Sequence, residues 1–388
     1  MSRRPRLEPF TDILHARFVA RPNRFRVCCA LMDGTTVDAF LPNPGRMWEL
    51  LWPGVILYLV KRPEDRPERK TAYTVVAVER EGHPVFLHTH VTNDVAEYLI
   101  ESDRIPALHG ARIAQREVAV GRSRFDFVVE QDGCAIYLEV KSCTLFGNGV
   151  AMFPDAVTDR GRRHLLHLAE MARDGLPTAV LFVIHYPHVD WFMPDYHTDP
   201  AFAAALLEVR DTVQVLAAAV EWRSDLTLGP TVKTPAIPWD YIAQECVDRG
   251  AYLLDLELAE GTTVAVGELG PIHFERGHYI YVGSAMGGLA ARMARHTRKR
   301  KKLRWHVDYL RQAATDCTAL PIRSSKRIEC ALAQALTDAG FALGPKRFGS
   351  SDCACPGHLF YSPEPPLHRT AIHTVLQQFR MAPPDVSR

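Results

Sequence analysis

The stretch Tyr137-Leu138-Glu139-Val140-Lys141-Ser142 decides how this chain is read. Side chains on a strand alternate between faces, so Leu138 and Val140 point one way and Glu139 and Lys141 the other. An acid and a base side by side, flanked in sequence by apolar residues, suit one task. The carboxylate holds a divalent metal, and the ammonium steadies an attacking water or a phosphate. A second acid, Asp126, sits on the strand-like run Arg124-Phe125-Asp126-Phe127-Val128-Val129. Asp132-Gly133 marks a turn between the two runs, so they read as a hairpin whose pairing brings Asp126 toward Glu139. Two hard oxygen ligands plus a lysine make a Mg²⁺ (or Mn²⁺) site for phosphodiester chemistry.

Asp126 followed by Glu139-Val140-Lys141 resembles the D…(D/E)xK pattern of the restriction-endonuclease-like nucleases. The words Ser123-Arg124-Phe125-Asp126-Phe127, Phe153-Pro154-Asp155-Ala156-Val157-Thr158, Pro42-Asn43-Pro44-Gly45-Arg46-Met47 and Arg69-Lys70-Thr71 resemble the sugar fermentation stimulation protein A family over about residues 10–230. The Glu-x-Lys tripeptide by itself reads more readily as an edge strand facing solvent than as a metal site. Asp126 on the neighbouring strand and the longer words turn the reading toward a metal site.

The chain has 388 residues, enough for two or three domains, and 47% of them are hydrophobic, ample for ordinary cores. Net charge is +1, so any nucleic-acid-binding surface is a local patch rather than a global property. The basic N-terminal stretch lacks an apolar segment and carries Pro5 and Pro9, which argues against a signal peptide. No run approaches the roughly 18 apolar residues of a spanning helix, and no membrane partner is expected. Nine scattered cysteines suit reduced thiols in a cytoplasmic protein better than a disulfide framework.

Residues 1–80 read as five short strands, Arg17–Arg21, Phe25–Met32, Thr35–Leu41, Val55–Lys61 and Ala72–Glu79, with turns at Asp33-Gly34 and Pro53-Gly54 and a charged loop from Pro63 to Arg69. Five strands at this spacing suggest a small barrel. The family resemblance implies an oligonucleotide/oligosaccharide-binding (OB) barrel. Arg17, Arg21, Arg24, Phe25 and Arg26 interleave charge with an aromatic ring as a single-strand-binding groove does, and a solvated strand face is the plain alternative. Arg17, Arg24 and Arg46 are the nucleic-acid-binding candidates here.

Residues 81–228 change character to an αβββαβ-αβ order, which the nuclease-like core requires. Helices are expected at Asn93–Ser102, Thr158–Arg173 and Pro200–Arg210, and strands at Arg112–Val120, Arg124–Glu130, Ala135–Lys141, Thr178–His185 and Val213–Val220. The middle helix opens with Arg160, Arg162, Arg163 and His164. Arg160 and His164 share a face at i,i+4 and are candidates to meet a phosphate at the helix start. Glu97 and Glu117 are candidate extra acids. Residues 229–240, with Pro230, Pro235 and Pro238, read as a linker.

Residues 241–388 form a further unit. Gly250-Ala251-Tyr252 starts one strand-like run and Tyr281-Val282-Gly283 lies in another. Gly287-Gly288 precedes a helix, Leu289–Thr297, which sets Arg292, Arg295 and His296 on one face. The run Arg298-Lys299-Arg300-Lys301-Lys302 follows, then His306, then an expected helix Ser325–Ala339 with Glu329 against its apolar stripe. This constellation resembles the GIY-YIG nucleases. The resemblance implies a metal on Glu329, Tyr252 or Tyr281 positioning or deprotonating water, Arg292 on the scissile phosphate, and His296 and His306 assisting proton transfer. The superfamily's late asparagine has no counterpart, because residues 241–388 contain no Asn. Arg295, Lys299, Arg300, Lys301 and Lys302 make a local phosphate-binding surface beside Arg292 and Arg304. Cys353-Ala354-Cys355-Pro356-Gly357-His358 carries ligand-type residues. Its spacing is not a standard zinc signature and no fourth ligand is evident, so it reads as thiols near a turn.

The sequence thus points to a multidomain α/β protein: an OB barrel, a restriction-endonuclease-like core and a GIY-YIG-like domain. The function read from it is a Mg²⁺- or Mn²⁺-dependent nuclease acting on DNA, with RNA as a second candidate. The rival is a DNA-binding regulator of sugar metabolism without catalysis.

Overall fold

The computed structural model of the chain describes residues 10–62, 71–121 and 123–384. Arg69, Lys70 and the loop from Pro63 lie outside the described residues, as does the start of the basic N-terminal stretch. The chain forms two compact units, one reaching Trp239 and a second spanning Asp240–Ala382.

The first unit begins with β1 (Ile13–Asn23), β2 (Arg26–Leu31), β3 (Thr36–Phe40), β4 (Ile56–Lys61), β5 (Tyr73–Arg80) and β6 (His83–Phe86). Their order is β3-β2-β1-β4-β5-β6, and a parallel pairing at Ala39↔Tyr73 and Phe40↔Thr74 closes β1–β5 into a barrel. Ala16 and Phe18, Val27 and Cys29, and Leu57 and Leu59 alternate inward, as a barrel with one packed interior demands. All five expected strands are present. β6 extends the sheet beyond the boundary expected at residue 80.

The core that follows comprises α1 (Thr92–Glu101), β7 (Arg112–Val120), β8 (Ser123–Gln131), β9 (Cys134–Cys143), β10 (Leu145–Gly147), β11 (Val150–Phe153), α2 (Asp159–Arg173), β12 (Thr178–Ile184), β13 (Trp191–Pro194), α3 (Pro200–Val209), β14 (Gln214–Trp222) and β15 (Leu228–Lys233). The main sheet runs β15-β14-β12-β9-β8-β7. β7, β8 and β9 form an antiparallel meander, while β9, β12 and β14 run parallel. Every residue of β12 is buried, as expected of a central parallel strand covered on both faces. Leu138 and Val140 pack with Val95 and Leu99 of α1 on one face. Phe182 packs with Leu165 and Leu168 of α2 on the other. The sheet that carries β9 is thereby covered on both faces.

The stretch expected as a linker is part of this sheet. Leu228–Lys233 pairs antiparallel with β14, and Ala236 bridges to Trp191. Proline is tolerated on an edge strand, where no neighbour needs its missing N–H, so Pro230 does not prevent pairing.

Two sequence words far apart in the chain meet beside the barrel. Asp155 Oδ2 accepts the Met47 amide at 3.1 Å, and Arg46 Nε donates to the Asp155 carbonyl. A Cβ on Gly45 would overlap the Asp155 carboxylate, so any larger residue forces Asp155 or the loop to shift.

The second unit contains α4 (Trp239–Glu245), β16 (Gly250–Leu258), β17 (Thr262–Ala265), β18 (Pro271–Phe274), β19 (Gly277–Ala285), α5 (Leu289–Thr297), α6 (His306–Ala313), β20 (Asp316–Arg323), α7 (Glu329–Asp338), β21 (Ala342–Leu343), β22 (Leu359–Ser362) and α8 (Thr370–Arg380). Its sheet runs β20-β16-β19-β22-β21, with Tyr252 paired opposite Gly283. The expected helix at 325–339 begins instead at Glu329. Ser325 is drawn away by Glu245, whose carboxylate accepts its amide at 2.8 Å and its hydroxyl at 2.5 Å. Glu329 therefore sits in the first turn, where the helix dipole favours an anion.

Gly45→Ala is expected to lower the stability of the first unit by about 1–3 kcal/mol, because Asp155 or the 43–47 loop must shift to admit the methyl group. Urea denaturation of the full chain checks this.

Candidate functional site

Glu139 lies at the buried centre of the first site, only 3% exposed. Its Oε1 receives both the Lys141 ammonium and His164 Nδ1, the latter at 2.6 Å. Its Oε2 is buried and has no hydrogen-bond partner among the described residues. Burial pushes the Glu139 carboxyl toward protonation, but His164 and Lys141 together outweigh it, leaving the group below its ordinary value. A buried carboxylate held ionised with one unpartnered oxygen has the chemistry to hold a hard cation.

The β8–β9 ladder ends at Phe127↔Leu138. Beyond it the Asp126 side chain takes over, with Oδ2 accepting the Val140 amide at 2.7 Å and Oδ1 accepting Asn93 Nδ2 at 2.8 Å. Asp126 is thus locked one peptide from Glu139. Burial and the Glu139 charge both raise its proton affinity, while the Val140 amide, Lys141 and Asn93 oppose them. An acid whose ionisation is opposed by burial and by a neighbouring carboxylate fits a site completed by a cation.

Asp126, Glu139 and Lys141 line a cavity of about 630 Å³. Arg24 and Arg160 also line it, and both are exposed. The Asn43–Gly45 loop of the barrel and the Pro154–Thr158 stretch form its other walls, so barrel and core share one site.

His164 and Arg46 depart from the roles expected of them. His164 does not face a ligand at the helix start; it is buried and spent on Glu139, because α2 packs that face onto β9. Arg46 braces the barrel against the core, donating to the Asp155 carbonyl and to Thr198 Oγ1 at 2.8 Å and stacking on Trp48. Arg17 is exposed on β1 and donates to the Gly54 carbonyl at 3.4 Å. Glu97 pairs with Arg116 and Glu117 with Arg124, and neither acid lines the cavity.

The second unit gathers Tyr252, Tyr281, Arg292, His296, His306 and Glu329 around a cavity of about 250 Å³. Tyr252 comes from β16 and Tyr281 from β19, their rings 6.4 Å apart. Burial raises both phenols well above their ordinary value, so both are neutral hydroxyls. Glu329 receives the Ser284 hydroxyl on Oε2 and lies 3.3 Å from His358 Nδ1 through Oε1. Burial pushes the Glu329 carboxyl up, but these two partners prevail and hold it below its usual value. His306 Nδ1 accepts the Gly349 amide at 3.1 Å, so a proton on the neutral ring resides at Nε2. Gly349, Ser351 and Asp352 also line this cavity.

Asp308 is the residue sequence reasoning passed over. It is fully buried and takes Arg295 in a two-point contact at 3.0 and 2.9 Å, His296 Nδ1 at 3.1 Å and Lys301 at 3.2 Å. Burial opposes its ionisation, yet His296, Arg295 and the amides of Arg304 and Trp305 outweigh it and hold the carboxyl far below the usual range. Arg295 and Lys301 are therefore structural counter-charges rather than free phosphate contacts. Lys299, Arg300 and Lys302 remain exposed, with Lys299 Nζ donating to the Ala314 carbonyl. Arg292 keeps its guanidinium at the cavity, stacked on Trp305 at 4.7 Å. The signal for Asp308 was present in the spacing Trp305-x-x-Asp308, a helix start with an acid at its third position.

Fold and sites define a multidomain α/β protein with an OB barrel, a nuclease-like domain and a GIY-YIG-like domain. Three family models match it: "SfsA N-terminal OB domain" over residues 19–87, "Sugar fermentation stimulation protein RE domain" over 90–225 and "Domain of unknown function DUF123" over 251–381. A sugar fermentation stimulation protein homolog of Clostridium kluyveri is 39% identical over 208 residues, covering 53% of this chain and 89% of the relative. Another, from Methanothermobacter thermautotrophicus, is 38% identical over 193 residues, covering 50% of this chain and 79% of the relative. The structure of Pyrococcus furiosus SfsA in complex with Ca²⁺ is similar with a TM-score of 0.54 and 29% identity, over 60% of this chain and 98% of that one. The chain belongs to the sugar fermentation stimulation protein family. Among the described residues no helix is long and apolar enough to cross a membrane.

Asp308→Asn removes the charge that Arg295 and Lys301 pair with and that His296 hydrogen-bonds, and is expected to cost about 3–5 kcal/mol. A depressed carboxyl contributes stability above its unfolded pKa, so the deficit should stay constant from pH 7 to about 5. It should shrink only below about 4, where the unfolded aspartate takes up its proton. Chemical denaturation of both proteins across this range measures it.

Proposed function

We propose that the chain is a divalent-metal-dependent nuclease that hydrolyses phosphodiester bonds of DNA. The observation that carries this reading is Glu139, a buried carboxylate kept ionised by His164 and Lys141 with its second oxygen bare beside Asp126. This oxygen-rich set fits a hard cation such as Mg²⁺ or Mn²⁺. Bound by Asp126 and Glu139, the ion would supply Lewis-acid polarisation of the phosphodiester.

The chain's own residues account for the rest. Asn93 and the Val140 amide fix the Asp126 carboxylate, and His164 fixes Glu139. Lys141 places a cation where negative charge builds on phosphate during attack. Arg24 and Arg160, exposed around the same cavity, draw the sugar–phosphate backbone in, and the barrel extends the contact along the strand.

The second unit offers another centre for the same chemistry. Glu329 is its hard ligand and Arg292 its phosphate contact. Its neutral tyrosines serve to position water by hydrogen bonding rather than to deprotonate it. A bound proton at His306 Nε2 suits donation toward a leaving oxygen.

The test is to incubate labelled single-stranded, duplex and branched DNA, and RNA, with the full chain in Mg²⁺, Mn²⁺ or EDTA. Cleavage should require the metal, and Glu139→Ala should slow it by at least about 100-fold if the first site cuts. Glu329→Ala and the double variant apportion what remains. DNA bound but intact under every condition would favour the non-catalytic regulator.

A further inference from the structure

Four residues that the nuclease reading leaves unused converge at the edge of the second cavity. Cys330 occupies the second position of α7, next to Glu329. Cys353 and Cys355 lie in the turn before β22, and His358 immediately precedes that strand. Their sulfur and nitrogen atoms all lie within 4.8 Å of one another. Cys353 Sγ and His358 Nε2 are 3.5 Å apart. Two ligands at zinc–sulfur and zinc–nitrogen distances, separated by the tetrahedral angle, lie about 3.6 Å apart. The missing fourth ligand of the Cys-x-Cys-x-x-His segment is thus a residue 23 positions earlier, brought in by the docking of α7.

The turn is held in this shape by its backbone. His358 donates its amide to the Phe348 carbonyl at 2.8 Å and accepts the Val282 amide at 2.8 Å, while Arg347 donates to the Pro356 carbonyl at 2.7 Å. The His358 ring is 1% exposed. A single disulfide among three thiols would leave one thiol and an imidazole crowded against it. A soft dication instead satisfies all four donors at once, and a set of three thiolates and one imidazole selects zinc in a closed, four-coordinate site.

We propose that Cys330, Cys353, Cys355 and His358 bind one structural zinc ion, which anchors the candidate active cavity of the second unit. The link is His358. With Nε2 on the metal, the ring carries its proton on Nδ1, which lies 3.3 Å from Glu329 Oε1. Such a metal–histidine–carboxylate arrangement orients both groups. The ion would tie the first turn of α7 to the turn that carries Gly349, Ser351 and Asp352 into the cavity wall. His358 is a positioning residue here, and the site stands whether or not the neighbouring cavity cuts nucleic acid.

The full chain, purified under reducing conditions with zinc supplied and then dialysed against metal-free buffer, should retain about one zinc per chain by mass spectrometry. Replacement by Co²⁺ should give thiolate-to-cobalt charge transfer and the intense bands of a tetrahedral ion. Cys330→Ser and Cys355→Ser should abolish both, whereas Cys134→Ser, in the other unit, and Glu329→Gln should keep both. If the cysteine variants fail to fold, the unmutated protein carries the test: chelation should expose three further thiols to a thiol reagent. Nitrogen NMR should find His358 metallated at Nε2 with its proton on Nδ1. A chain that binds no zinc, a cobalt spectrum without charge transfer, or metal retained in Cys330→Ser would overturn the site. A ring metallated at Nδ1 would overturn its link to Glu329.

Discussion

A carboxylate taken out of water must find positive charge nearby or become neutral. Glu139 meets this constraint in the first unit, and much of that unit is arranged around meeting it. β9 carries Lys141 on the same face, and α2 is docked so that His164 reaches the same oxygen. The second oxygen is buried and has no hydrogen-bond partner among the described residues. The sheet is covered by helices on both faces, and Glu139 sits only 3% exposed between β9 and α2.

The second unit solves the same problem differently at two places. Asp308 is fully compensated, by an arginine, a histidine, a lysine and two backbone amides, and so has no capacity left for a ligand. Glu329 is only partly compensated, by a hydroxyl and an imidazole edge, and opens onto a cavity. The contrast separates a structural acid from a candidate catalytic one on physical grounds. It also explains why a basic run in sequence does not translate into a uniformly basic surface: Arg295 and Lys301 are turned inward to serve Asp308.

Barrel and core in the first unit act as one body because their contact is built from backbone as much as side chain. Gly45 lets the 43–47 loop approach Asp155, and Arg46 closes over the joint. Asp155 is left with its proton affinity raised to about 6, by burial first and by the nearby Glu49 charge second. The cavity that holds Asp126 and Glu139 is walled by this joint, so the geometry of the site depends on the barrel being in place.

Local pattern was enough to reveal the strands of the barrel, the αβββαβ order and the pairing of Glu139 with Lys141 on one face. Period-two alternation and turn residues are properties of neighbours in sequence, and the hairpin through Asp132-Gly133 brought Asp126 within reach. The Pro-rich stretch after residue 228 misled, because whether a short run becomes an edge strand depends on β14 offering it a partner. The roles of His164, Arg46 and Asp308, and the meeting of Cys330 with Cys353, Cys355 and His358, belong to tertiary structure alone. Each depends on which helix face packs against which strand, and a charge or thiol shows its purpose only once its neighbours from distant parts of the chain have arrived.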